Sequence, residues 1–147
     1  MKWLNIATLG PIGYLPAPGT WATIVTIPLV YFLSHVSGVF YVSILVLILL
    51  CAFISADHAI RTWRHPDPSR VVIDECVGTL VTFIGMPIHM PVIMAGVILF
   101  RLFDITKWCG IWRAQQLPSA WGVIMDDVVA GLLSCGILHI LRMQGLL

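Results

Sequence analysis

Apolar residues fall into five runs separated by short polar or glycine- and proline-bearing links. They extend over about Thr20 to Ser34, Val39 to Ala56, Val71 to Met86, Pro91 to Asp104 and Val123 to Leu141. Crossing a bilayer takes about 20 apolar residues. The second run, with its purest stretch Ser43 to Leu50, and the fifth approach that length. The first, third and fourth fall short, so they are expected to be tilted, half-buried against neighbours or extended by their polar ends. The links around His35-Ser37-Gly38 and Pro87 to Met90 read as tight helical hairpins. The pattern predicts an all-α fold: a compact multi-pass membrane bundle of about five hydrophobic helices, some of them short or re-entrant. Trp108, Ile111 and Trp112 have i, i+3, i+4 spacing, which adds a short interfacial helix between the fourth and fifth runs.

Composition agrees. Hydrophobic residues make up 59% of the 147-residue chain and charged residues 10%, against about 25% charged in an ordinary soluble domain. The length suits one membrane-embedded domain, residues 1–147, and no second. No basic run resembles a nucleic-acid footprint. Cys51, Cys76, Cys109 and Cys135 form no C-x-x-C pair and read as apolar filler. Gly10, Pro11, Gly13, Pro16 and Pro18 would break a signal-peptide core, so the N-terminus is expected to belong to the mature protein. With five crossings, Lys2, Arg61, Arg64, Arg70, Arg101, Lys107 and Arg113 share one side and Arg142 takes the other, which assigns the first side to the cytoplasm. The six tryptophans, Trp3, Trp21, Trp63, Trp108, Trp112 and Trp121, fall near that same face.

Within this apolar chain, five of the seven acidic residues lie inside the hydrophobic runs: Asp74-Glu75, Asp104 and Asp126-Asp127. A carboxylate at mid-bilayer costs roughly 2.5–3.5 kcal/mol on insertion scales, so such residues face a protein interior and serve a function. The third run enters from the cytoplasm, the fourth returns there and the fifth enters again, which brings the acids to one depth at one face. Hard divalent cations take oxygen ligands of this kind, and magnesium typically takes one or two carboxylates besides phosphate oxygens and water. Adjacent acids on a helix diverge by about 100°. Each pair is therefore expected to supply one direct ligand and one group that orients it. Asp74, Gly78 and Thr82 share a face, as do Asp127 and Gly131, and the glycines would let helices approach closely beside the acids. An alternative for Asp104 is plain ion pairing, since Arg101, Asp104 and Lys107 have i, i+3 spacing. The loop Gly10 to Thr20 ends at Gly19, which gives backbone freedom, and Thr20, a candidate N-cap; free N–H groups there would seat a phosphate.

Four stretches in order carry a resemblance: Gly13-Tyr-Leu-Pro-Ala-Pro-Gly-Thr20, Asp67-Pro-Ser-Arg-Val-Val-Ile-Asp74-Glu75-Cys-Val-Gly78, Phe100-Arg101-Leu-Phe-Asp104-Ile-Thr-Lys107 and Gly122-Val-Ile-Met-Asp126-Asp127-Val-Val-Ala-Gly131. Together they make the chain resemble the phosphatidylglycerophosphatase A family of bacterial inner-membrane lipid phosphatases over nearly its whole length. The resemblance implies magnesium-dependent hydrolysis of phosphatidylglycerophosphate to phosphatidylglycerol and phosphate in phospholipid biosynthesis, at a cytoplasm-facing site among membrane lipids. It implies catalytic roles for Asp74, Glu75, Asp104, Asp126 and Asp127, and metal ligation by Asp74, Glu75, Asp104 and Asp127. Gly19, Thr20, Arg101 and Lys107 would bind substrate. Asp67 also matches, either at the site or as a cap on the third helix. Three departures bear on headgroup preference. Trp108-Cys109-Gly110 stands where prolines are usual, Ser119-Ala120-Trp121-Gly122 where a glycine pair is usual, and Trp21-Ala22-Thr23 where Gly-Ser is typical.

The residues also limit the mechanism. No cysteine has an arginine six positions later, and no Asp-x-Asp nucleophile pair exists. Metal-activated water is therefore favoured, with Arg101 and Lys107 stabilising the developing charge and Asp126 or Asp74 as general base. His58 and His65 read as interfacial residues, and His35, His89 and His139 lie toward the opposite face. Two rivals remain beside this reading. A small cation carrier would also bury carboxylates, but here they gather at one face in the company of basic residues. A nucleotide-lipid phosphotransferase would carry Asp-Gly…Ala-Arg…Gly…Asp…Asp on one stretch, which is absent. Altered lipid phosphomonoester specificity within the family is a further alternative.

Overall fold

Each of the five apolar runs contains a helix in the computed structural model, which describes residues 1–147. The helices are α1 (Lys2–Ala7), α2 (Pro18–Ser34), α3 (Gly38–Trp63), α4 (Ile73–Thr82), α5 (Met90–Thr106), α6 (Ile111–Gln115) and α7 (Ala120–Met143), with a 3-10 turn at Ile12–Tyr14 and no strand. The all-α expectation is met. Only α3 and α7 are both long and apolar enough to cross a membrane.

Several boundaries move for local reasons. In the first apolar run α2 begins at Pro18, whose fixed φ suits a first helical position, and Ala17 at φ 51° is its N-cap. Thr20 is therefore not the cap. Ser37 caps α3 by accepting from the Phe40 N–H at 3.3 Å. That helix continues past Ala56 to Trp63, with Asp57 and Arg61 paired at 2.8 Å across one turn. The run from Val71 to Met86 yields a helix of only 10 residues, since the chain leaves it at Phe83 and Gly85 turns at φ 71°. The link to α5 is accordingly longer than a tight hairpin. Left-handed Lys107, Cys109 and Gly110 (φ 51°, 56° and 85°) interrupt the helix before α6. Trp108 thus sits in a turn, and Ile111 is fully buried while Trp108 and Trp112 are exposed. The three do not form the single interfacial stripe that their spacing suggested.

The bundle is apolar outside, and the second half of α3 is small on its inner face. Ala52, Ala56 and Ala59 line the inner face of α3, whereas Val46, Leu47, Leu50 and Ile54 point outward. On α5, Met94, Ile98, Leu102 and Ile105 are likewise exposed. An outward belt of this size is foreign to soluble monomers, and close packing through small residues is the membrane solution.

At the centre lies α4, packed against α2, α3, α5 and α7. At about 15 Å it is half a bilayer long, so its final carbonyls end inside the bundle and need partners. The Tyr41 hydroxyl donates to the Leu80 carbonyl at 2.7 Å. The Ile84 carbonyl lies 3.0 Å from His139 Nε2 and accepts from the Cys135 thiol at 3.6 Å. Arg142 donates to the Gly85 carbonyl at 3.4 Å. At the far end from the acids, Cys135 and His139 thus meet the turn that follows α4, and Arg142 meets its exposed Gly85 carbonyl.

The crossing of α4 and α7 runs through the glycines expected there. A Cβ on Gly131 would lie 2.5 Å from the Gly78 carbonyl oxygen, and one on Gly78 would lie 2.8 Å from the Asp127 carbonyl oxygen. Gly131→Ala should therefore destabilise the protein by about 1–3 kcal/mol in denaturant titrations in detergent. Gly136→Ala on the same helix, where a Cβ meets nothing within 4 Å, should be neutral or stabilising by up to about 1 kcal/mol.

Candidate active site

Three helix segments converge on one cavity of about 320 Å³. The first turn of α4 brings Asp74 and Glu75, the last turns of α5 bring Arg101 and Asp104 with Lys107 just beyond, and an early turn of α7 brings Asp126 and Asp127. All five acids predicted from sequence line it, as do both cations. Gly19 closes one wall: a Cβ there would strike Glu75 Oε1 and lie 2.9 Å from Arg101 Nη1. Thr20 points away, exposed, and its N–H is used by the Ala17 carbonyl at 3.0 Å. It does not line the cavity.

Lys107 is the hub. Its ammonium donates to Asp104 Oδ1 at 2.7 Å and Asp126 Oδ2 at 2.8 Å, with Asp127 Oδ1 at 3.7 Å. The left-handed backbone at Lys107 folds the chain back after α5, and its N–H caps Phe103 at 2.8 Å. Burial by itself lowers the ammonium pKa, but Asp127, Asp104 and Asp126 outweigh it, so the pKa rises and the group stays charged. Its stabilising contribution is complete below the usual lysine value and lost only in strong alkali. Arg101 binds Asp104 Oδ2 at 2.8 Å and lies 4.0 Å from Glu75 Oε1.

The acids divide into two groups. Oxygen atoms of Asp74, Glu75 and Asp127 all lie within 4.8 Å of one another. Asp104 and Asp126 are instead held by the cations. The ion-pair alternative thus describes Asp104, which stands outside the three-oxygen group. In the Asp126-Asp127 pair one acid joins that group and the other is held beside it, as the 100° divergence suggested. Asp74 and Glu75 depart from that rule: both reach the shared point, the longer Glu75 side chain making up the angle.

The three-oxygen group suits a hard divalent cation. Glu75 Oε2 is buried without a hydrogen-bond partner, and so is Arg101 Nε. An orphan acceptor and an orphan donor in one cavity fit a cation and a phosphate oxygen respectively. Five carboxylates against two cations also leave an excess of negative charge that a cation would offset.

Sequence reading missed Ser69 and Gln115, which also line the cavity. Ser69 sits inside a motif already singled out, but Gln115 arrives only through the packing of α6 on α7. Asp67 lines the cavity and does not cap α4, whose N-cap is Val72.

Buried carboxylates beside an arginine and a lysine, at one end of a helical bundle with an apolar outer belt, are the groups a membrane-associated phosphohydrolase needs. The model of the phosphatidylglycerophosphatase A family matches residues 5–142. The chain belongs to that family and is a lipid phosphatase, which sets aside the cation-carrier alternative. It is 29% identical to the phosphatidylglycerophosphatase A of Escherichia coli over 83% of this chain and 72% of that protein. The Haemophilus influenzae phosphatidylglycerophosphatase A is 31% identical over 80% and 74%. A Bacteroides thetaiotaomicron protein provisionally named a phosphatidylinositol-3-phosphatase is 33% identical over 88% and 87%. No solved structure shows a significant match.

Removing the Lys107 charge leaves three buried carboxylates without their shared partner. Lys107→Met should cost about 3–5 kcal/mol of stability, and adding Asp104→Asn should recover part of it. A double-mutant cycle by denaturant titration measures the coupling.

Proposed function

We propose that this protein hydrolyses phosphatidylglycerophosphate to phosphatidylglycerol and inorganic phosphate, with magnesium as cofactor, at the cytoplasmic face of the bacterial inner membrane. The observation that carries the reading is the juxtaposition of the Asp74, Glu75 and Asp127 oxygens with Arg101 and Lys107 in one cavity. Asp74, Glu75 and Asp127 would hold the ion, with Asp104 and Asp126 keeping the cations in place. When bound, magnesium supplies positive charge against the phosphoryl oxygens and makes water more acidic. Arg101 and Lys107 bind the remaining phosphomonoester oxygens and neutralise the charge that builds as the phosphorus–oxygen bond to glycerol breaks.

Asp74 is the better general base of the two candidates. Both Asp126 oxygens are engaged, Oδ2 by Lys107 at 2.8 Å and Oδ1 by the Asp127 N–H at 3.0 Å. Asp74 Oδ1 accepts from the Glu75 N–H at 3.1 Å, which leaves Oδ2 for the proton of an attacking water. Gly19 belongs to the substrate wall, because only a residue without a side chain fits against Glu75 and Arg101.

In the proposed topology, one domain places α2, α3, α4 with its following link, α5 and α7 as five passes. The cation-rich ends face the cytoplasm under the positive-inside rule. The name of the Bacteroides thetaiotaomicron relative favours testing a second substrate, phosphatidylinositol 3-phosphate.

In mild detergent, the purified protein should release phosphate from phosphatidylglycerophosphate only with magnesium present; undiminished activity in excess chelator excludes the metal role. The same assay over a panel including phosphatidylinositol 3-phosphate and phosphatidic acid ranks the headgroups. Asp127→Asn should lose more than the about 10–100-fold typical of residues that merely support metal ligands, while remaining folded and inserted. A cysteine placed at Pro68 should be labelled from the cytoplasm, and labelling from the periplasm inverts the topology.

A further inference from the structure

Beside the active cavity lies a second, polar one of about 510 Å³, formed by the loop between α3 and α4. The two cavities share Asp67 and Ser69. The second also contains Arg70, which makes no ion pair with any carboxylate. An arginine left without an acid next to a phosphatase site is a free anion receptor.

The surrounding chain holds this arginine in place. Val72 N–H donates to the Ala7 carbonyl and Val71 N–H to the Pro68 carbonyl, each at 2.8 Å. Gly13 packs so closely on the Arg70 carbonyl that a Cβ would collide with it. The next residue, Tyr14, lies under the guanidinium, with 5.1 Å from Arg70 Cζ to the ring centroid. One short turn thus fixes the backbone of Arg70 and offers its head a ring to stack on. Stacking on a ring face leaves the edge N–H donors of a guanidinium free for oxygen acceptors.

We propose that Arg70, seated on Tyr14, binds the internal phosphodiester of the substrate while the terminal phosphomonoester occupies the neighbouring cavity with Arg101 and Lys107. The proposal rests on the reading of the substrate as phosphatidylglycerophosphate, whose headgroup carries two phosphates joined by one glycerol. Asp67 and Ser69, on the wall common to both cavities, then face that glycerol. Arg70 is a specificity-determining residue: a lipid with a single phosphate engages the anion-binding groups of one cavity and leaves those of the other unused.

The test is steady-state kinetics on phosphatidylglycerophosphate in dodecyl maltoside micelles free of other phospholipid. Arg70→Gln should raise KM about tenfold and leave kcat within about twofold, the pattern of a lost contact made equally in the ground and transition states. Arg70→Lys should recover part of the KM, and Tyr14→Leu should raise it less. Two inhibitors separate the subsites. Phosphatidylglycerol keeps only the phosphodiester, so its inhibition constant should rise about tenfold in Arg70→Gln. Inorganic phosphate should inhibit both proteins equally. Unchanged KM and phosphatidylglycerol inhibition in Arg70→Gln overturns the proposal, and so does an equal loss of affinity for both inhibitors. An effect that emerges only when anionic phospholipid is added assigns Arg70 to a neighbouring bilayer lipid and also overturns it. Wild-type protein that turns over no phosphatidylglycerophosphate sinks the preceding functional reading together with this one.

Discussion

Lys107 and Arg101 pair with four of the five carboxylates gathered in a cavity between apolar helices, and the rest of the structure answers to that constraint. Charges withdrawn from water persist only when they are paired and hydrogen-bonded. The ammonium of Lys107 meets acids from α5 and α7, so a single side chain fixes the relative position of two helices. Arg101 adds Glu75 from α4 at longer range. The same network divides the acids into those neutralised by the protein and those left to converge, and that division makes a metal-dependent reading chemically sensible.

Asp74 and Glu75 lie in the first turn of α4, a helix of 10 residues that stops early. Its early stop leaves carbonyls at and just beyond its end in need of partners. Tyr41, Cys135, His139 and Arg142 meet those carbonyls from α3 and α7. One end of α4 therefore serves chemistry and the other is closed by side chains from distant helices. Gly78 and Gly131 bring α4 and α7 together between these ends, where any side chain would hold Asp127 away from its partners.

Over its second half α3 turns alanines inward and large aliphatic residues outward, the distribution expected where lipid solvates leucine as well as a protein core does and tight packing rewards burial. The polar loops concentrate at the end of the bundle that carries the acids. There the 3-10 turn at Ile12–Tyr14, the Asp67 to Arg70 loop and the start of α2 surround the cavity.

By sequence alone, the five apolar runs, the all-helical class and the residues with chemistry to offer were determined. Carboxylates and cations within such runs have an energetic cost that marks them out wherever they fall in space. The closeness of Gly78 and Gly131 to the acids was legible for the same reason, since helical spacing already puts them on one face. What tertiary structure decided was partnership. Asp104 and Asp127 look alike in sequence, yet one is gripped by two cations and the other joins Asp74 and Glu75. Thr20 and Gln115 exchanged roles for a similar reason: a left-handed Ala17 starts α2 early and turns Thr20 outward, while the break at Lys107 to Gly110 lets α6 pack against α7 and carry Gln115 inward. Depth and helix type follow from local apolar pattern, but which oxygen meets which cation depends on backbone turns and helix crossings that no single segment encodes.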